Sequence, residues 1–114
     1  MGAEPIILLD TPNPPEDTPT CLSSHPNNIQ LCGPTISSLS KGVTILQAIE
    51  SVVAETGVAV IDPTDWFCLN DICPPIVGDL LVYRDGHHMT DLFASQLEQL
   101  LGNTLIPLVD QATR

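Results

Sequence analysis

Two short apolar runs stand out in the sequence, one at residues 6–9 and one at residues 58–61. Each is continuously hydrophobic and ends at an aspartate, Asp10 or Asp62, that opens a turn. Unbroken apolar runs of this length are typical of strands buried on both faces, as in parallel sheets. The pattern therefore predicts two buried strands. Because the first begins so close to residue 1, we expect further chain before it in the natural protein.

Between the two runs, residues 43–56 carry apolar side chains at helical spacing. The stripe consists of Ile45, Ile49, Val52 and Val53, with Leu46 and Ala48 beside them. Thr44 or Ser40 is suited to cap the start of this helix, and Gly57 suits the position of positive φ at its end. A strand, a helix and a second strand in this order predict a parallel crossover unit and therefore an α/β fold.

A third apolar run, residues 80–83, leads into a second predicted helix over residues 90–101. Thr90 suits the N-cap of this helix, and Asp91 in its first turn complements the helix dipole. The apolar positions of this helix are Leu92, Phe93, Leu97, Leu100 and Leu101. We expect these leucines to pack on the parallel sheet.

The second helix is expected to end at Gly102, because glycine commonly follows the last turn of a helix. Beyond it, residues 103–114 are expected to form a frayed tail. The predicted domain therefore spans residues 1–102, and we find no internal repeat within it.

Two long stretches, residues 11–40 and 62–79, show no hydrophobic periodicity and are predicted to be loops. The first contains six of the chain's 11 prolines. Loops of this length are usually functional or disordered. In the second stretch, Trp66 and Phe67 are candidates for a sugar-binding platform. Aromatic residues beside a strand end belong more often to the core, so the core interpretation is favoured.

The four cysteines form two close pairs within these loops, Cys21 with Cys32 and Cys68 with Cys73. Four cysteines allow three connectivities. Two local disulfides are the favoured interpretation, because paired cysteines in proline-rich loops fit an oxidising compartment. A tetrahedral zinc site is the alternative, but spacings of ten and four intervening residues differ from the short Cys-x-x-Cys knuckle.

The formal charge of −11, from 14 acidic and three basic residues, limits the partners of this chain. A polyanion would be repelled over most of such a surface, so a nucleic acid partner is not expected. No apolar run approaches the length of a membrane span, and residues 1–15 lack the features of a signal peptide. The predicted disulfides and the lack of signal-peptide features are compatible if the chain is a piece of a longer protein.

The main candidate for chemistry is the segment Tyr-Arg-Asp-Gly-His-His-Met-Thr at residues 83–90. Asp85 precedes His88 by three residues, a spacing that lets the carboxylate orient the imidazole while the ring acts as general base. Loops that follow strands commonly carry such groups. The alternative is a turn aspartate and a histidine at a helix entry, because two-residue motifs often occur by chance.

Two neighbours of this pair are candidates for substrate contacts. Arg84 is suited to anchor a substrate carboxylate, although a weak local ion pair is the simpler explanation. His87 is expected to be an exposed loop histidine. A metal site built from Asp85, His87 and His88 is not expected, because adjacent side chains rarely converge on one ion.

Taken in order, these residues resemble the C-terminal part of an SGNH hydrolase domain, in the version fused to the bacterial membrane acyltransferase-3 family. The longest matching run is Cys68-x4-Cys73-Pro74-Pro75-Ile76-Val77-Gly78-x-Leu80-Leu81-Val82-Tyr83-Arg84-Asp85-Gly86-His87-His88-Met89-Thr90. Shorter matches are Ile7-Leu8-Leu9-Asp10-Thr11-Pro12, Pro19-x-Cys21-Leu22 and Gly57-Val58-x-Val60-Ile61-Asp62. The resemblance covers residues 5–101.

The resemblance implies a three-layer α/β/α sandwich of the flavodoxin-like kind, with a parallel sheet, on the extracytoplasmic face of the bacterial membrane. It implies transfer of acyl groups to cell-wall or surface glycans by a Ser-His-Asp mechanism. We expect no cofactor and no metal. By position, Asp85 and His88 correspond to the catalytic aspartate and histidine. The family usually has another residue type where His87 stands, so His87 is the less favoured base.

The implied partners are the N-terminal half of the SGNH domain, a membrane acyltransferase domain and a glycan acceptor. The family's Gly-Asp-Ser block, which holds the serine nucleophile, has no counterpart in this sequence, nor do its oxyanion-hole glycine and asparagine. The serines considered, Ser23, Ser24, Ser37 and Ser38, lack that context, and Asn27-Asn28 lies in a different loop.

We therefore expect a C-terminal fragment of an acyltransferase or esterase domain that is inactive alone, because a triad without its nucleophile loses most of its catalysis. The alternative is a catalytically silent remnant or binding module from a truncated or split gene.

Overall fold

The computed structural model describes residues 4–39 and 43–112. In chain order its strands and helices are β1 (Ile6–Leu8), α1 (Thr18–Ser24), α2 (Val43–Thr56), β2 (Ala59–Ile61), α3 (Thr64–Phe67), β3 (Ile76–Val77), β4 (Leu80–Leu81), α4 (Asp91–Gln96) and α5 (Glu98–Ala112). Single 3-10 turns lie at Ile29–Cys32 and Ile36–Ser38. Helices combined with a parallel pair of strands confirm the predicted α/β class.

The strands β1 and β2 form a parallel sheet, with Ile6 opposite Ala59 and Leu8 opposite Ile61. The backbone N–H of Leu9 adds one more bond, donating to the carbonyl of Ile61 at 2.9 Å. α2 connects the two strands, as a parallel pair requires a crossover connection. The predicted parallel pairing of the two apolar runs is therefore confirmed.

α2 ends where a glycine allows the chain to turn. Gly57 has a φ of +68°, and its N–H donates to the carbonyl of Val53 at 2.8 Å. Both the helix over residues 43–56 and its glycine stop are confirmed. Of the two predicted caps, Thr44 lies inside the helix and Ser40 lies outside the described residues.

Only part of the apolar surface of α2 is packed. Leu46, Ile49 and Val53 recur at helical spacing and are partly buried. Ile45 and Val52, which the sequence assigns to the same stripe, are 67% and 45% exposed. Within the described chain, nothing covers this second apolar strip of the helix.

The segment at residues 11–40 is more ordered than the predicted loop, because it contains α1. The side chain of Asp17 accepts a backbone N–H of the first turn at 2.9 Å, and Pro19 lies in that turn. An aspartate cap and an early proline are ordinary start signals for a helix. The segment has too few apolar residues to show a helical period, which is why the loop prediction is wrong here.

Both disulfides join cysteines within one local segment. The sulfur atoms of Cys21 and Cys32 are 2.09 Å apart, and those of Cys68 and Cys73 are 2.03 Å apart. The first bond ties α1 to the following 3-10 turn, and the second lies in the core. The local connectivity is therefore present, and a zinc site built from the four cysteines is excluded because it would need free thiolates.

The third apolar run forms a hairpin and is separate from the parallel sheet. β3 and β4 pair antiparallel, with Ile76 opposite Leu81, and Gly78 at a φ of +62° makes the turn. In the described part of the chain, no ladder joins this hairpin to β1 or β2. Because α3 and β3 lie within residues 62–79, the loop prediction for that stretch is also wrong in part.

The C-terminal helix departs most from the prediction. α4 is closed at Leu97, and α5 then continues through Gly102 to Ala112. A glycine inside a helix costs only about 1 kcal/mol relative to alanine, so it does not oblige the helix to stop. The partly buried leucines Leu105 and Leu108 continue the stripe beyond it. The helix end at Gly102 and the frayed tail are therefore wrong, whereas the domain boundary at residue 102 stays a prediction.

The core lies where the hairpin, α3 and α4 meet. Its buried members are Leu39, Phe67, Cys68, Cys73, Val82, Tyr83, Phe93 and Leu97. The ring of Phe67 lies 5.3 Å from that of Phe93 and 6.0 Å from that of Tyr83, measured between centroids. Trp66 packs against the same cluster. The core interpretation of the two neighbouring aromatics is therefore confirmed.

Apolar side chains remain exposed around the parallel sheet and the C-terminal helices. Leu8 and Val60 in the sheet are 54% and 37% exposed. Leu92 and Leu100, which were expected to pack on the sheet, are 67% and 43% exposed, so that expectation is wrong for both. Parallel sheets are usually covered on both faces, so this one has apolar surface suited to a further layer.

Candidate catalytic site

The segment at residues 83–90 forms a closed turn between β4 and α4. The backbone N–H of Arg84 donates to the carbonyl of His88 at 2.9 Å. The hydroxyl of Thr90 donates to the carbonyl of Leu81 at 2.6 Å and accepts a backbone N–H of α4 at 3.2 Å. Thr90 therefore caps α4 as predicted, and it also closes the base of the turn.

Asp85 is held by three hydrogen bonds inside this turn. Its Oδ1 accepts the backbone N–H groups of His87 and His88 at 2.8 and 2.7 Å, and its Oδ2 lies 2.8 Å from Nδ1 of His88. The bonds from the His87 backbone and from the His88 ring lower the pKa of Asp85 well below its usual range. The carboxyl group therefore stays ionised.

The contact between Asp85 and His88, here called the dyad, decides what the imidazole can do. An ionised carboxylate only accepts hydrogen bonds, so Nδ1 of His88 carries the proton that it donates to Oδ2. The lone pair of the neutral ring then lies on Nε2. The side chain is 51% exposed, so the ring is accessible from solvent. A base oriented by a carboxylate in this way is suited to deprotonate an alcohol.

The side chains of His87 and Arg84 lie beside the dyad and form no hydrogen bond with it. Nδ1 of His87 lies 3.9 Å from Oδ1 of Asp85, and the two histidine rings are 4.1 Å apart at their centroids. Arg84 is exposed, and its guanidinium forms no ion pair with any of the residues that the structure describes. Both side chains are therefore accessible to a substrate.

A buried hydrogen bond ties the turn to the segment after β1. The hydroxyl of Tyr83 donates to the carbonyl of Pro12 at 2.6 Å, and both residues are buried. An apolar cleft of about 150 Å³ is lined by Thr11 after β1, Pro63 after β2 and Met89 of the turn, among others. The turn thus lies near the carboxyl ends of both parallel strands, the edge at which open α/β sheets bind ligands.

Replacing Tyr83 by phenylalanine should destabilise the chain by about 1–2 kcal/mol, because the carbonyl of Pro12 would be left buried without its donor. Burial, reinforced by the negative charge of Asp10, raises the pKa of Tyr83. The folded-state pKa thus lies above the unfolded value of about 10, so this contribution is complete below that pH and is lost as the pH rises through the folded-state pKa.

Urea midpoints of both forms at neutral and alkaline pH measure these effects, and the difference between the forms should shrink at high pH. The chain has one tyrosine, so tyrosinate absorbance reports Tyr83 alone. A phenol that titrates in the folded chain at its ordinary pKa would contradict the buried bond.

The sequence did not single out Tyr83 as part of the site, because the pattern indicates only that this residue ends an apolar run. The signal was present nonetheless. A buried tyrosine usually finds a hydrogen-bond partner for its hydroxyl, and Tyr83 ends an apolar run two residues before Asp85. The partner, 71 residues away, was not visible in the sequence.

Three of the four serines considered as nucleophiles bond elsewhere. The hydroxyls of Ser23 and Ser38 donate to carbonyls in their own helical turns, and the hydroxyl of Ser37 pairs with that of Thr35. Among the residues described, no serine hydroxyl forms a hydrogen bond with His88.

The family of the chain follows from a comparison with known families. The family model of the SGNH domain that is fused to AT3 domains matches residues 1–103. The chain belongs to this family. Searches of curated proteins and of solved structures found no match.

Membership confirms the resemblance drawn from the motifs. An SGNH domain fused to AT3 domains is acyltransferase-like or esterase-like, and it has a membrane acyltransferase domain as its partner. The fusion indicates a membrane-associated parent, here called the SGNH–AT3 protein. No helix within residues 4–39 or 43–112 is long and apolar enough to cross a membrane.

Proposed function

We propose that this chain provides the general base and its orienting carboxylate to an SGNH acyl-transfer site. The dyad completes a triad with the serine of a Gly-Asp-Ser block, which belongs to the N-terminal half of the domain and lies outside this sequence. The observation that carries the proposal is the 2.8 Å contact from Nδ1 of His88 to Oδ2 of Asp85, which leaves Nε2 open. The reaction is O-acylation of cell-wall or surface glycans on the extracytoplasmic face of the membrane.

The chemistry takes two rounds of proton transfer at Nε2 of His88. Nε2 first accepts the serine proton as the serine oxygen attacks the acyl carbonyl, and the imidazolium then protonates the leaving group. Nε2 next accepts the proton of a glycan hydroxyl, whose oxygen attacks the acyl-serine, and returns that proton to the serine. Asp85 stabilises the imidazolium in both rounds and keeps the ring oriented.

Arg84 and His87 are the side chains assigned to contacts with the glycan or the acyl donor. Both are exposed beside the dyad, and the guanidinium of Arg84 has no carboxylate partner among the described residues. A guanidinium is suited to bind carboxylate groups, which some surface glycans carry.

The exposed apolar surface supports a partner that covers the parallel sheet. Leu8 and Val60 in the sheet, and Ile45 and Val52 on α2, are exposed by between 37% and 67%. A two-stranded parallel sheet with bare apolar side chains fits a larger sheet from which strands and a helical layer are missing. The N-terminal half of the SGNH domain is the proposed cover.

The two disulfides support an extracytoplasmic location, because such bonds persist outside the reducing cytoplasm.

The test compares the isolated chain with the chain completed by its proposed other half. On simple aryl esters the isolated chain should show no turnover above buffer, because no serine hydroxyl among the described residues forms a hydrogen bond with His88. Co-expression with the polypeptide that carries the Gly-Asp-Ser block should restore hydrolysis that depends on that serine. Robust turnover by the isolated chain that is lost on mutating His88 would refute the proposal, since it would require a nucleophile within this chain.

A catalytically silent remnant or binding module is the second candidate function. The observation in its favour is that the hydroxyls of Ser23, Ser37 and Ser38 are bonded away from the dyad. Failure of the co-expressed halves to hydrolyse esters, although they bind each other, would favour this alternative.

A further inference from the structure

Three potential metal ligands converge in the turn, although adjacent residues were not expected to do so. Asp85, His87 and His88 each offer a ligand atom within 4.8 Å of the other two. Nδ1 of His88 lies 2.8 Å and Nδ1 of His87 lies 3.9 Å from a carboxylate oxygen of Asp85. The bonds from the backbone N–H groups of both histidines to Asp85 fold the turn so tightly that the two rings lie side by side.

These two distances lie on either side of the separation between ligand atoms that a small transition-metal ion requires. Bonds of about 2.0–2.2 Å in a tetrahedral site place neighbouring ligand atoms about 3.4 Å apart. Nδ1 of His88 lies closer than this to Oδ2 of Asp85, and Nδ1 of His87 lies farther than this from Oδ1. The side chains must therefore rotate to share one ion, and their exposure leaves room for that rotation. The side chains of His87 and His88 are 64% and 51% exposed, so an ion can enter from solvent.

We propose that Asp85, His87 and His88 bind one divalent transition-metal ion of the Zn²⁺ class, with a fourth position left for water or a substrate oxygen. Two imidazoles and one carboxylate are a donor set that suits Zn²⁺ better than Ca²⁺ or Mg²⁺, which prefer all-oxygen sites. The formal charge of −11 raises the local concentration of cations around the chain.

Metal binding and the proposed base function exclude each other at His88, a consequence that rests on the proposed function. The ion takes the Nδ1 lone pair and occupies the place of the proton that Nδ1 now shares with Asp85. The neutral ring then carries its proton on Nε2, which can no longer accept one from serine. Bound Zn²⁺ therefore inhibits acyl transfer. This inhibition requires His87 as a metal ligand, whereas the action of His88 as a base does not require His87.

The chain contains an internal control for this site. Among the described residues, the other cluster of potential ligands is Cys21, His25 and Cys32, but its two sulfur atoms are joined in a disulfide and provide no thiolate. Apart from His87 and His88, His25 is the only histidine in the sequence. A variant at His25 therefore changes histidine content without touching the proposed site.

The test is isothermal titration calorimetry of ZnCl₂ into the oxidised chain in a non-chelating buffer. We expect one ion per chain. Loss even of an outer-shell partner typically weakens metal binding about 10–100-fold, so His87→Ala and Asp85→Asn should each weaken it by at least about tenfold. His25→Ala should bind as the unmodified chain does. In spectra of the imidazole nitrogens, Zn²⁺ should shift the Nδ1 signals of His87 and His88 and leave those of His25 unchanged.

Absence of saturable binding would overturn the proposal, as would binding that His87→Ala leaves intact or one ion shared by two chains. These measurements require neither a serine nor turnover, so their outcome does not depend on the proposed function. The inhibitory consequence has its own readout in the SGNH–AT3 protein. The ratio of rates without and with Zn²⁺ should fall towards one in His87→Ala.

Discussion

Replacing His88 by alanine in the full SGNH–AT3 protein should lower kcat for acyl transfer by on the order of 10⁴-fold or more. The ring of His88 is the base that Asp85 orients, with Nδ1 at 2.8 Å from Oδ2. Without it, neither serine nor acceptor hydroxyl is deprotonated as it attacks. The measurement is acylation of the proposed glycan acceptor, followed by mass spectrometry over time.

Two further variants separate the base from its surroundings. His87→Ala should keep kcat and change at most KM, because Nδ1 of His87 is 3.9 Å from Asp85 and takes no part in the dyad. Asp85→Asn should reduce kcat by about 10⁴-fold, because an amide no longer selects the tautomer with the proton on Nδ1. If His87→Ala were as damaging as His88→Ala, the assignment of the base to His88 would be wrong.

Replacing Phe67 by alanine should destabilise the chain by about 3–5 kcal/mol, a large share of the total stability of a small domain. Phe67 is 2% exposed, and its ring contacts those of Tyr83 and Phe93 at the centre of the core. The cavity left behind would open between α3, α4 and the segment that carries the dyad. Urea denaturation of the oxidised chain, monitored by circular dichroism, measures the loss.

Leu92→Ala is the matched control for this core variant. Leu92 is an apolar residue of α4 next to Phe93, but it is 67% exposed, so its truncation should change stability by no more than about 0.5 kcal/mol. Equal losses in the two variants would mean that the core is not centred on Phe67.

The dyad could be predicted from the sequence because its geometry is local. Asp85 is three residues before His88, and a turn of that length brings the carboxylate to the backbone N–H groups and to the ring. Bringing together two residues that are close in sequence costs little chain entropy, so the contact follows from residue types and spacing. The same reasoning accounts for the local disulfides, for Thr90 as a cap and for the end of α2 at Gly57.

The convergence of His87 with the dyad could not be predicted in the same way. Adjacent side chains usually point apart, and only the tight bonding of both backbone N–H groups to Asp85 brings the rings within 4.1 Å. The sequence contained the ligands but not the turn geometry that makes them converge.

By itself, the sequence determined the strands β1 and β2, the helix α2 that crosses between them, and the dyad with its cap, because each depends on the periodicity or spacing of neighbouring residues. Only the tertiary structure decided how the turn is anchored and where the last helix ends. The bond from Tyr83 to the carbonyl of Pro12 spans 71 residues, and no local pattern marks its acceptor. α5 continues past Gly102 because leucines beyond the glycine are partly buried, and packing outweighs the small propensity cost of one glycine.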